Sequence, residues 1–74
     1  MTITREGRIA TLWNLTWNED TLSCVVYQST DGMQLRLESP TGVILSEPFD
    51  MQPRSFARTK ALRDSLKRRG WTET

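Results

Sequence analysis

Histidine is absent from this 74-residue chain, and cysteine occurs once, at Cys24. Without histidine no side chain has an ordinary pKa near neutrality, and without a His or Cys cluster there is no zinc-type ligand set. A lone thiol excludes an intramolecular disulfide, and with it the small secreted folds that disulfides staple. Gly7, Gly32, Gly42 and Gly70 are scattered, so no glycine-rich phosphate loop is present, and the acidic residues lack calcium-loop spacing. No stretch approaches the roughly 20 apolar residues that span a bilayer, and MTITREGRIATLW has no apolar run ahead of a small-residue cleavage site. These absences lead to the expectation of a cytoplasmic protein that is not an enzyme, with no cofactor, metal, membrane contact or small-molecule substrate.

Short alternating runs punctuated by turn residues are what the chain does have. In Ile9 to Trp17, residues Ile9, Thr11, Trp13, Leu15 and Trp17 fall on one side of an extended chain, before Asn18-Glu19-Asp20 turns it. Leu22, Cys24 and Val26 form the apolar side of the second run, Thr21 to Gln28, and Thr30-Asp31-Gly32 follows. Met33, Leu35 and Leu37 alternate with Gln34, Arg36 and Glu38 in the third, and Ser39-Pro40-Thr41-Gly42 leads into a fourth from Val43 to Ser46, ending near Pro48. Four antiparallel strands in a meander over residues 9–48, possible as three if the first run does not pair fully, account for this pattern.

A helix over residues 50–69 follows. Asp50 is the expected N-cap and Pro53 fits the first turn, where its missing N–H costs nothing. Gly70 is placed as a left-handed stop, which makes Trp71 and Leu66 the apolar pair of a Schellman ending. Phe56, Thr59, Leu62 and Leu66 share one side at 100° per residue. The expected fold class is therefore α+β, a two-layer single domain with the helix on the sheet face that carries Trp13, Leu15, Leu22, Cys24, Val26, Met33, Leu35, Leu37, Val43 and Leu45. Residues 1–7 and 72–74 are read as frayed ends. On the apolar face, Cys24 is a core filler rather than a nucleophile.

Charge is unevenly spread. Residues 1–52 carry three cations against seven anions, a net of −4, whereas residues 53–74 carry seven cations against two anions, a net of +5. Two binding surfaces are expected from this chain. The first is a protein-binding patch on the uncovered sheet face, Leu12, Val25, Tyr27 and Ile44 with Trp17 at the sheet end, suited to a partner protein or to self-association. Trp17 and Trp71 are also placed to combine as an aromatic contact at that end. The alternative is weak, salt-sensitive nucleic-acid binding through Arg54, Arg58, Arg63, Lys67, Arg68 and Arg69.

Three or four antiparallel strands followed by one helix is similar in element order to the arm-type DNA-binding domains of phage integrases and to a DNA-binding domain of plant transcription factors, both of which read DNA through the sheet. Those sheets carry several Arg and Lys side chains on the open face, where this chain offers Arg36 among Glu38, Gln34 and Ser23. No site residue is carried over, and the leading expectation is a small protein-binding or adaptor module.

Overall fold

The structure, a computed structural model, describes residues 7–74. Five strands and one helix follow in the order β1 (Gly7–Trp17), β2 (Asp20–Ser29), β3 (Gly32–Ser39), β4 (Gly42–Pro48), α1 (Pro53–Arg68) and β5 (Thr72–Glu73). The sheet is antiparallel, in spatial order β4-β3-β2-β1-β5. Each of the three hairpins closes with two residues between paired positions: Trp17 opposite Asp20, Ser29 opposite Gly32 and Ser39 opposite Gly42. Connections this short leave each strand no choice but to pair with its predecessor, which is why the chain forms a meander.

The buried cluster comprises Trp13, Leu15, Leu22, Cys24, Val26, Leu35, Leu37 and Phe49, with Met33, Leu45, Leu62, Leu66 and Trp71 packed against it. The sheet thus places its apolar alternation toward α1, as the period of two requires. Leu62 and Leu66 provide the helix's share. Between them and the N-terminal turn lies Thr59, a polar residue buried without penalty because its hydroxyl donates to the Phe56 carbonyl at 2.8 Å. Phe56 is half out of the core and meets Phe49 edge-on, with ring centroids 5.3 Å apart.

Irregularities in two ladders shift residues from their expected faces. In β1 the pairing with β2 slips between Arg8 and Ala10 and again between Thr11 and Trp13, so Ile9 and Leu12 have no partner. Each extra residue flips the alternation. Ala10 therefore lies opposite Val26, and Thr11 opposite Val25, the reverse of a straight strand, while Ile9 is exposed and Leu12 packs against the core. A third slip leaves Ile44 unpaired between Val43 and Leu45, and it sets Val43 opposite Glu38 rather than among the core residues. Phe49, unassigned by alternation because it follows Pro48, is buried, and its N–H donates to the Met33 carbonyl at 3.1 Å.

Both ends of the helix differ from a simple reading. Its N-cap is Gln52, not Asp50, and α1 begins at Pro53. Asp50 instead gathers the preceding turn: its carboxylate accepts from the Ser55 hydroxyl at 2.6 Å, the Gln52 N–H at 3.1 Å and Arg54 at 3.1 Å. At the C-terminus the Schellman geometry forms as expected. The Trp71 N–H donates to the Leu66 carbonyl and the Gly70 N–H to the Lys67 carbonyl, both at 3.1 Å, with Gly70 at φ +116°. This turn sends the chain back along the sheet, where residues 72–74 are not frayed. Thr72 and Glu73 pair with Thr16 and Leu15, and the Thr74 N–H donates to the Asn14 carbonyl at 3.1 Å. Gly7 is in turn part of β1, and the rest of the expected N-terminal fray lies outside the described residues.

Nothing lies within 4 Å of where a Cβ would stand on Gly70, so a side chain there meets only backbone strain. Gly70→Ala is expected to lower stability by about 1 kcal/mol or more in urea denaturation, since the left-handed conformation disfavours any residue with a Cβ.

Candidate interaction surface at the sheet end

The expected patch on the uncovered sheet face is not assembled. Arg8 lies opposite Tyr27 and Glu38 lies opposite Ser23, on either side of β2 and one step to each side of Val25. Their side chains meet at 2.6 Å, so the ion pair spans β2 above Val25. Arg36, directly opposite Val25, folds its guanidinium over the Tyr27 ring at 3.7 Å from the centroid and donates to the side-chain Oε1 of Gln34 at 3.2 Å. Val25 consequently has no exposed surface. Tyr27 is half-buried, Leu12 packs against the core, and this face presents charge and amide instead of hydrocarbon.

Two of the five expected residues, Trp17 and Ile44, lie at the sheet end beside a further aromatic, Trp71. Trp17, the last residue of β1, is 49% exposed and meets Trp71 edge-on with ring centroids 5.8 Å apart. Trp71 is brought there by the Gly70 turn. Ile44, 61% exposed because its bulge releases it from the ladder, shares a groove of about 500 Å³ with Trp71, Leu22, Pro40 and the acidic turn residues Glu19 and Asp20. The groove opens where the β1–β2 and β3–β4 turns and the end of α1 converge. Single apolar residues on a surface are ordinary; Ile44 and Trp71 lining one concavity, with exposed Trp17 against Trp71 beside it, are a candidate contact site. Neither the bulge nor the convergence has a local sequence signal, although the pairing of Trp17 with Trp71 was legible from the turn residues beside each.

The cations of the helix are largely engaged within the molecule. Arg54 pairs with Asp50 and Arg58 with Glu47, each at 3.1 Å, and these four side chains line a second cleft of about 320 Å³ beside Phe49. Arg63 and Lys67, one turn apart, bracket Glu73 of β5 at 3.7 and 3.3 Å. Among the described residues no carboxylate lies within 4 Å of the cationic groups of Lys60, Arg68 or Arg69. Of the six cations expected to face a nucleic acid, Arg68 and Arg69 thus keep their charge for solvent or a ligand.

Burial, reinforced by the nearby Glu47 carboxylate, pushes the Cys24 thiol up to about 11, so it stays protonated at neutral pH. No group of three or more metal-ligating side chains occurs among the described residues, and no helix among them is long and apolar enough to cross a membrane. With this geometry in hand, comparison with protein families, with curated proteins and with solved structures finds no match to the chain.

Hydrogen bonds from Ser55, Arg54 and the Gln52 N–H hold the Asp50 carboxyl below its ordinary pKa of 3.8. A carboxylate depressed in this way supports the folded state fully above the ordinary aspartate pKa, and its contribution is lost as pH falls through the lower folded value. Asp50→Ala is accordingly expected to melt at a lower temperature than the parent protein at neutral pH, and the difference is expected to close as acid protonates the parent's Asp50.

Proposed function

We propose that this chain is a small, non-enzymatic protein-binding or adaptor module whose contact surface is the groove at the sheet end. The observation that carries this reading is that Ile44 and Trp71 line one concavity while Trp17 packs edge-on against Trp71 beside it, with Trp17 and Ile44 each about half exposed or more. Large aromatic side chains anchored by neighbouring structure are the side chains on which protein contacts concentrate their energy, because they bury much area and lose little conformational freedom. The sheet face opposite α1 is the poorer choice. Its one apolar centre, Val25, lies beneath an ion pair, and a partner there would have to displace Arg8, Glu38 and Arg36 from one another and from Tyr27.

Charge separates this reading from nucleic-acid binding. Three helix cations without an intramolecular carboxylate offer few phosphate contacts, and the carboxylates of Glu19 and Asp20 at the groove repel a phosphate backbone. The same features are compatible with a cytoplasmic adaptor that works with a protein partner.

The test is affinity capture from an extract of the native host, followed by reconstitution with the purified partner. The partner is expected to be retained by Tyr27→Glu and lost by Ile44→Glu, with both variants folded by circular dichroism. Retention by Ile44→Glu and loss by Tyr27→Glu would move the contact to the sheet face and end the proposal for the groove.

A further inference from the structure

Glu19 and Asp20 are the charged residues among those lining the groove, and no cation among the described residues lies within 4 Å of either carboxylate. They are held there by a tight turn. Asn18, at φ +55°, takes the left-handed conformation that Asn tolerates, closing β1 on β2 and leaving both acidic side chains exposed. The groove thus joins an apolar floor of Leu22, Ile44 and Trp71 to a negative lip that has no ion-pair partner within 4 Å among the described residues.

Size decides what kind of occupant fits. The molecule measures 47 × 27 × 17 Å. A strand of 11 residues extends about 36 Å, so the strands run along the longest axis and the groove sits on a narrow end. That end offers on the order of 400 Å² of contact, about half of the ~800 Å² per partner of a standard protein interface. A second folded copy therefore gains too little area there for a stable dimer, whereas about 500 Å³ accommodates a few side chains of an extended segment.

We propose that the groove takes a short segment of a partner protein in which an aliphatic or aromatic side chain stands beside a Lys or Arg. The apolar side chain enters between Ile44 and Trp71, and the cation reaches Glu19 and Asp20 at the lip. This rests on the protein-binding reading and adds the chemistry of the partner to it. Desolvation of the apolar side chain supplies the affinity, and the carboxylates supply selection of charge and salt sensitivity.

Two synthetic probes test the proposal, acetyl-Gly-Lys-Leu-Arg-Gly-amide and acetyl-Gly-Glu-Leu-Glu-Gly-amide, titrated to millimolar concentration against the full chain labelled with nitrogen-15. The basic peptide is expected to shift the indole N–H resonances of Trp17 and Trp71 while leaving that of buried Trp13 in place. Its affinity is expected to fall about tenfold in the double variant Glu19→Gln, Asp20→Asn, in line with the loss of a paired charge. Equal response to both peptides, an unchanged affinity in the double variant, silence with both, or shifts with oligothymidine but not with the basic peptide would each overturn it. So would dimerisation seen by light scattering and abolished by Ile44→Glu. Silence of the peptides while Ile44→Glu still abolishes capture of a folded partner removes only the cationic-segment inference; capture that ignores Ile44→Glu removes the module reading beneath it.

Discussion

Burial of one sheet face under one helix is the constraint on which the rest of this molecule depends. A chain of this length exposes so much of its surface that nearly every large apolar side chain must enter a single core. Four strands joined by two-residue turns set Trp13, Leu15, Leu22, Cys24, Val26, Leu35 and Leu37 on one side, and α1 supplies Leu62 and Leu66 to meet them. Because the helix must end where the sheet ends, the Gly70 turn becomes as consequential as the core. It returns Trp71 to the cluster and lays Thr72 and Glu73 along β1, protecting an edge that would otherwise present unpaired backbone groups.

The opposed charges of the body and the helix are spent mostly inside the molecule. Glu47 takes Arg58, Glu73 takes Arg63 and Lys67, and Glu38 takes Arg8 across Val25. Exposed pairs of this kind contribute little to stability. Each pair nonetheless neutralises charge at the surface, and Glu19, Asp20, Arg68 and Arg69 are left without an ion-pair partner within 4 Å among the described residues. A strongly basic stretch of sequence is therefore a weak guide to a basic surface when acidic residues lie elsewhere in the same small chain.

The candidate contact surface lies at the narrow end of the sheet rather than on its broad face. A face carrying Leu12, Val25 and Tyr27 reads as greasy when strands are taken to alternate without interruption. In the folded chain the β1 bulge returns Leu12 to the core, and guanidinium groups cover the other two. The groove gathers the bulged Ile44 and Trp71, with Trp17 packed edge to face against Trp71 beside it, while Ile9, Val43, Met51 and Phe56 are also exposed.

The positions of the four hairpin strands and their turns, the presence of the helix, the Schellman ending and most of the core were legible in the sequence, because each depends on spacing of two or 3.6 residues or on the local conformational freedom of glycine and proline. The helix start was not, since Gln52 rather than Asp50 is its N-cap. Phe49, the β5 pairing, the bulges at Ile9, Leu12 and Ile44, and the intramolecular partners of the cations were decided by the tertiary structure. Those features arise between residues distant along the chain, where an unpaired residue in one strand or a carboxylate in another changes which side chains reach solvent. The sequence by itself determined the four hairpin strands, the helix and the side of the sheet to be buried; only packing decided β5 and which apolar and charged groups were left outside, and the candidate surface is drawn from those.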